Sequence, residues 1–464
     1  MKGLVAYCAA LAAVSLQAAV PKYVFVFIGD GMSTPQRMVA ENFAAKTGHG
    51  DFAMNLLPYQ ANTRTRSADA VITDSAAAAT AIACGVKTKN GSLGVDPEGN
   101  RVQSVAEVAR DRGMKVGIMT TVGIVHATPA GFYAHRTKRG QLYRIGLDLV
   151  DSGFDYFAGG GVHGANDQTD DSEYRGDLFD LARKAGYVVC TNRAEWAALR
   201  PGVKSWTLFS YWTMGYAIDG STGNPTLAEI VEKGIEVLDN PKGFFMMCEG
   251  GEVDHAGHAN DAATSLHEVL ALDDAVKVAL RFQERHPDET LVIVTGDHET
   301  GGLSMGFAGI GGHFNVEVLA QQKISTEQFS NDIKALIRER KGEVTFEEVK
   351  PLVTEKFGLR FDRTKKDPLL VTPDEERKLS AAFAQDIENV RKKLRDTTAH
   401  DVARRYAFAQ AVKNVLNAHA GVGWGSGAHT ALPTLTTAKG AGAEILVGMT
   451  ENTDIANRLK ALLK

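Results

Sequence analysis

Cysteine is scarce in this 464-residue chain: there are four, with Cys8 in an apolar leader and Cys84, Cys190 and Cys248 far apart. That rules out a disulfide framework and leaves room for one bridge at most. No C-x-x-C pair occurs, which argues against a zinc site built on thiolates. A basic excess is missing as well. The formal net charge is -5 and no stripe of Lys and Arg stands out, so nothing favours nucleic acid as a specific partner. After the leader, no apolar run is long enough to cross a bilayer, so no transmembrane segment is expected in the mature chain.

What is present is a soluble globular composition, 44% hydrophobic and 23% charged with 47 glycines. The length allows one large domain or two ordinary ones. Met1-Lys2-Gly3 followed by the apolar run 4–16 reads as a secretory signal peptide, residues 1–19, with the cut between Gln17 and Val20. A periplasmic or secreted protein follows from that reading.

Four apolar runs, 23–28, 115–122, 243–248 and 290–295, alternate with helix-forming stretches such as 226–239 and 260–285. Continuous apolar strands separated by helices predict an α/β fold whose central, largely parallel sheet is covered on both faces. The strands end in unusual residues. The first delivers Gly29-Asp30-Gly31-Met32, the second is followed by His126-Ala127-Thr128-Pro129, the third delivers Glu249 through His258, and the last delivers Gly296-Asp297-His298. Ligand groups gather at the carboxyl ends of such strands. Any single one of these acids could be an ordinary turn residue. Their recurrence is harder to assign to packing, because buried charges need partners, and a shared metal cluster would supply one.

Thr73-Asp74-Ser75-Ala76 leads into an alanine-rich run that predicts a helix over 75–81. A serine at a helix N-terminus can be a cap, an anion ligand or a nucleophile. From 323 to 419 the sequence turns charged and helix-forming, with Thr372-Pro373-Asp374-Glu375 as a helix start and Leu379, Phe383, Ile387, Val390 and Leu394 as its apolar stripe. This reads as a helical insertion in the α/β domain, placed before the glycine-rich loop 421–430 that carries His429. Its roles could be covering the site, shaping access, joining subunits or simple stabilisation. Residues 444–448 can form a late strand of the same sheet.

These residues, taken in order, resemble the alkaline phosphatases, metal-dependent phosphomonoesterases. The match runs through Gly29-Asp30-Gly31-Met32, Thr73-Asp74-Ser75-Ala76, Ala127-Thr128-Pro129, Glu249, Asp254, His258, Asp297-His298 and His429-Thr430. The resemblance implies a three-layer α/β/α domain over 20–464 with a crown-like insertion, hydrolysing small phosphate monoesters through a phosphoserine. It implies one zinc on Asp254, His258 and His429, a second on Asp30, Asp297 and His298, and a third ion, usually magnesium, on Asp30, Thr128 and Glu249. Ser75 would be the nucleophile. The phosphate-gripping arginine, four residues after His135, would be Arg139 rather than Arg136. Asp74 would orient it. His126 and His255 stand where the best-known bacterial pattern has Asp and Lys, so the third site could take another metal and His255 could touch phosphate. A homodimer is expected. Two alternatives remain: a phosphodiesterase of the same superfamily, and a non-catalytic metal- or phosphate-binding protein.

Overall fold

A computed structural model of the chain describes residues 20–168, 172–220, 223–364, 367–392 and 406–464. The signal-peptide reading of 1–19 and the stripe residue Leu394 lie outside them. The strands, in chain order, are β1 (Tyr23–Gly29), β2 (Tyr59–Arg64), β3 (Lys115–Gly123), β4 (Tyr156–Gly160), β5 (Val188–Cys190), β6 (Ser205–Leu208), β7 (Phe244–Gly250) and β8 (Thr290–Gly296). Then come β9 (Glu299–Thr300), β10 (Leu303–Met305), β11 (Val422–Trp424), β12 (His429–Thr430), β13 (Thr434–Gly440) and β14 (Gly448–Glu451). Among the described residues, ten of these build one sheet in the order β14-β2-β13-β8-β1-β7-β3-β4-β6-β5. Only β13 opposes the others, antiparallel to both β2 and β8.

The sheet is the middle of three layers. Along β1, Val24, Val26 and Ile28 enter one apolar cluster while Tyr23, Phe25 and Phe27 enter the other. This alternation follows from the two-residue period of a strand, and burial on both faces explains why β1, β7 and β8 read as unbroken apolar runs. Each large side chain so buried contributes about 1.5–3 kcal/mol. One face is covered by helices Thr34–Thr47, Leu227–Leu238 and Ala262–Arg285, the other by Ser75–Cys84, Val105–Asp111, Leu142–Asp151 and Thr453–Leu462.

Beyond β10 lie the helices Thr326–Glu339, Phe346–Phe357, Pro373–Arg391 and Ala407–Ala420. Their buried Phe329, Phe357, Phe383 and Phe408 continue the first cluster. Helix Pro373–Arg391 starts as its sequence predicts, with Thr372 and Glu375 closing a capping box.

One expectation needs correction. Residues 444–448 do not form a strand: Ala443–Ile445 is a single 3-10 turn following Gly442 in the left-handed region, and the edge strand begins only at Gly448. The last central strand is instead β13, whose Thr-rich sequence hides it. Its Thr436 hydroxyl bonds Thr63 at 2.7 Å and Thr295 at 2.8 Å, so polar side chains are buried there with partners. Cys84, Cys190 and Cys248 are buried free thiols, so among the described residues no bridge forms.

Candidate metal and phosphate site

Parallel pairing brings the strand ends level. Gly29 of β1 pairs with Gly250 of β7 and with Gly296 of β8, and Ile28 pairs with Glu249. The residues that follow these glycines therefore converge. Gly31 has φ 73°, and a Cβ there would lie 2.9 Å from the Asp254 Cα, so only glycine lets the β1 turn pass this close. Asp254 and His258 share one face of the short helix Glu252–His258. His429 arrives from far along the chain because β12 pairs antiparallel with β9, His429 opposite Thr300.

Three groups of possible ligands result: Asp254, His258 and His429; Asp30, Asp297 and His298; and Asp30, His126 and Glu249. Within each, one ligand atom per residue lies within 4.8 Å of the others. In the first group Asp254 is 3.3 Å from the His258 Nε2 and 3.6 Å from the His429 Nε2. In the second, the His298 Nε2 is 3.3 Å from Asp30 and 3.2 Å from Asp297. The Thr128 hydroxyl donates to Asp30 at 3.3 Å, which puts it beside the third group.

The opposite ring nitrogens are tied down. Nδ1 of His258 lies 2.9 Å from the Gly427 carbonyl, and Nδ1 of His429 lies 2.9 Å from the Thr73 carbonyl. Nδ1 of His298 is 3.3 Å from the Thr300 hydroxyl. Such outer partners fix the tautomer and turn Nε2 toward a ligand.

The electrostatics are those of a cluster built for cations. Asp30, Glu249, Asp297 and His298 are fully buried. Burial first, then the neighbouring Asp297, Asp254 and Glu249, pushes the Asp30 carboxyl well above the usual range. Asp297 is raised well above it too, by burial and then the charges of Asp254 and Glu249, while Glu249 is raised to about 7 mainly by burial. Burial also opposes the charge on Asp254, but the imidazoles of His258, His298 and His429 outweigh it and hold that carboxyl well below its ordinary value. Most telling, Asp30 Oδ1, Glu249 Oε1 and Asp297 Oδ2 are buried and accept no hydrogen bond. A buried carboxylate oxygen without a donor is costly, and a bound cation removes the cost.

Ser75 is the first residue of helix Ser75–Cys84 and is 2% exposed. It is not the cap. Asp74 caps the helix, its Oδ1 accepting from the Ala77 amide at 3.0 Å, which leaves the Ser75 hydroxyl beside the metal-ligand residues, 3.2 Å from the His298 Nε2. The other oxygen of Asp74 accepts from the Gly91 amide at 3.0 Å and from Arg139 Nη1 at 3.2 Å. Arg139 also reaches the His126 Nε2 at 3.3 Å. Arg136, by contrast, is committed elsewhere, to Asp148 at 2.5 Å and Glu173 at 2.8 Å. His255 lies with its ring 6.0 Å from that of His126.

The family model for alkaline phosphatase matches residues 21–464. The chain belongs to the alkaline phosphatase family. It is 30% identical over 453 residues to alkaline phosphatase 3 of Bacillus subtilis, covering 95% of this chain and 89% of that relative. Alkaline phosphatase 4 of the same organism is 31% identical over 458 residues, covering 95% and 88%. The crystal structure of the cold-active alkaline phosphatase from a psychrophilic Shewanella superposes with a TM-score of 0.80 at 26% identity, over 95% of this chain and 100% of that one. As a member of this family the chain is a metal-dependent phosphatase, with the family's large, mostly parallel sheet between helices.

Sequence reasoning missed the residues that brace the site. Glu299 is fully buried and accepts from Gln36 at 2.7 Å, from the Gly302 and Leu303 amides at 3.0 and 3.1 Å, and from Thr430, so it pins the β9–β12 ribbon that carries His429. Thr300 donates to Asp254 at 2.5 Å, and Thr120 donates to Glu249. Their only sequence signal was proximity to a motif.

Proposed function

We propose that the chain hydrolyses phosphate monoesters to alcohol and inorganic phosphate through a phosphoserine on Ser75. The proposal places one zinc on Asp254, His258 and His429, a second on Asp30, Asp297 and His298, and a third ion on Asp30, Glu249 and Thr128. The donor set supports this: groups that contain imidazole suit zinc, and all-oxygen sets suit magnesium. His126 beside the third group favours zinc or another transition metal there as an alternative to magnesium. The carboxylate oxygens that lack donors support cations at all three places. Bound metals would stabilise the serine alkoxide and neutralise charge on the phosphate.

The protein's own groups do the rest. The Ser75 oxygen forms a bond to phosphorus as the bond to the ester oxygen breaks, and the alcohol leaves with a proton. Water then cleaves the phosphoserine and restores the hydroxyl. Arg139, steadied by Asp74, grips two non-bridging oxygens in both steps, and the N-terminus of helix Ser75–Cys84 favours the same negative charge. One observation carries the reading: a buried serine at a helix N-terminus, 3.2 Å from a histidine of a cluster whose carboxylates lack donors.

Arg139 favours a monoester over a diester, because a diester offers one fewer charged oxygen to a guanidinium. Metal analysis beside a monoester-against-diester rate comparison tests the proposal. A faster diester would replace the reading, and a metal-loaded protein without turnover would leave a binding protein. Export and a homodimer belong to the same proposal, tested by fractionation and by light scattering.

A further inference from the structure

We propose that the cleft at the carboxyl ends of β4 and β6 seats a flat ring of the substrate's alcohol, and that the monoesters it selects are nucleoside monophosphates. The inference rests on the monoesterase reading above and adds a substrate class to it. Val162, His163, Asn166, Asp167 and Tyr211 line the cleft, Gly140 forms one rim, and the volume is about 730 Å³. Gly140 follows Arg139 in the chain, so the cleft adjoins the phosphate grip. Both lie at the carboxyl ends of parallel strands, where ligands collect in such sheets.

A row of rings joins the two places. His163 and Tyr211, both exposed, stand edge to face with centroids 5.5 Å apart. Trp212 lies 5.9 Å from His163 and 6.0 Å from His126, whose Nε2 is 3.3 Å from Arg139. The backbone under the row is pinned: the Gly161 amide donates to the Trp212 carbonyl at 2.9 Å, the Phe209 amide to the Gly159 carbonyl at 2.9 Å and the Met214 amide to the Thr121 carbonyl at 2.8 Å. β4 runs out in glycines for this reason. A Cβ at Gly160 would lie 1.9 Å from the Trp212 carbonyl oxygen, and one at Gly161 would lie 1.8 Å from that of Tyr211. Tyr211 thus sits on a fixed backbone with its side chain 75% exposed, an aromatic face that costs little to order on binding.

Span and edge chemistry select the occupant. Neighbouring strands are about 4.8 Å apart and β4 is the second strand from β7, so the cleft lies about 10 Å along the sheet from Glu249. Glycerol does not bridge that distance, and the ring of a phenyl ester, bonded directly to the ester oxygen, stays beside phosphorus. A base set off from its phosphate by a sugar reaches the cleft. Bases stack on aromatic faces, and the Asn166 amide and Asp167 carboxylate are the donor and acceptor types that meet a base edge.

Steady-state kinetics of the metal-loaded enzyme decide this, with adenosine monophosphate, phenyl phosphate and glycerol phosphate as substrates of the parent, Tyr211→Ala and Tyr211→Phe. Specificity is read as kcat/KM for the nucleotide divided by that for each other ester. The parent should favour the nucleotide, and loss of one stacking face predicts about a tenfold fall of both ratios in Tyr211→Ala, carried by KM. Tyr211→Phe keeps the face and should stay within about twofold of the parent. A substitution at so exposed a side chain leaves folding intact. Ratios that Tyr211→Ala does not change, or a parent that prefers glycerol phosphate, would overturn the proposal. Tyr211→Ala altered only in oligomeric state would replace it with a contact between copies of the chain. Adenosine alone, followed by saturation-transfer NMR, needs no turnover: transfer should be seen with the parent and lost in Tyr211→Ala, and equal transfer in both would contradict the assignment. A parent without monoester turnover would overturn the functional reading instead, and the adenosine measurement would then judge the cleft by itself.

Discussion

Among the buried acids of the described residues, two sets are buried on opposite terms. At the junction between the α/β body and the helices after β10, Asp261 is 1% exposed and well satisfied: it accepts from the Gln322 side chain at 2.9 Å, the Thr326 amide at 2.8 Å, the Thr326 hydroxyl at 2.5 Å and the Thr264 amide at 3.1 Å. Asp386 is likewise held by the Ala407 and Phe408 amides, at 2.8 and 3.0 Å. At the strand ends, Asp30, Glu249 and Asp297 are as deeply buried, yet each keeps an oxygen with no donor and faces other acids. At the strand ends the donor-free oxygens also converge in shared groups with histidine, and that combination separates a structural carboxylate from one that waits for a cation. The first kind is complete in the folded chain; the second is not.

The largest expected effect comes from breaking the second kind. Chelation should abolish monoester turnover and lower the melting temperature. The metal-free protein should also lose stability as pH rises from about 6.5 to about 9, since ordinary histidine titrates near 6.5. The sign follows from the shifts. Burial opposes protonation of His255, but Glu252, Asp254 and Glu249 outweigh it and raise the imidazole to about 9, so its stabilisation is present below the unfolded value and is lost up to about 9. Glu249, raised to about 7, holds a proton that the unfolded chain releases, which also favours unfolding as pH rises. His126 and His298, lowered well below their ordinary value mainly by burial, already contribute fully above about 6.5 and do not offset the loss. Melting curves across that range, with and without chelator, check this; a metal-free curve that is flat or rising would refute it.

Next in size, Arg139→Ala should weaken phosphate inhibition about a hundredfold, as expected for a bidentate charged contact. Arg136→Ala should act mainly on stability, because that guanidinium is tied to Asp148 and Glu173. Equal effects on inhibition would mean that the wrong arginine is assigned. On the structural side of the comparison, Asp261→Ala should cost about 3 kcal/mol of folding stability by leaving several buried donors unpaired. Zinc stoichiometry of the protein that stays folded should not change. The smallest effect is expected at Lys413, whose Nζ donates to the Ala259 carbonyl at 2.5 Å, just beyond the helix bearing His258. Nζ also donates to Gln410 at 2.7 Å, and burial lowers that ammonium to about 8, so Lys413→Met trades two hydrogen bonds for relief of a buried charge, and a change under about 1 kcal/mol in a denaturant titration is expected.

How legible all this was depended on which physical term dominated each stretch. The apolar runs of β1, β7 and β8 could be read because strands buried on both faces must be apolar throughout, and the acids after them stood out against that background. β13 could not be read, because Thr436 and Thr437 satisfy their hydroxyls through partners on other strands or loops that only the fold supplies. The same holds at the site. Asp254 and His258 are linked by helix spacing, but His429 meets them only through the β9–β12 ribbon, and without the resemblance nothing local to it marked it as more than a loop histidine. Ser75 shows the limit most plainly: its sequence fits a cap, and the structure gives that task to Asp74. Glu252 was visible as one of several acids in its stretch, while its hold on His255 depends on a side-chain direction that spacing does not fix.

The central claim is that Ser75 carries the phosphoryl group. Mixing the metal-loaded enzyme with a phosphate monoester at acidic pH, quenching in acid and mapping the modified peptide measures it directly. The account predicts phosphate on Ser75, and loss of both that label and turnover in Ser75→Ala. A label on another residue, or near-parental turnover in Ser75→Ala, would contradict it.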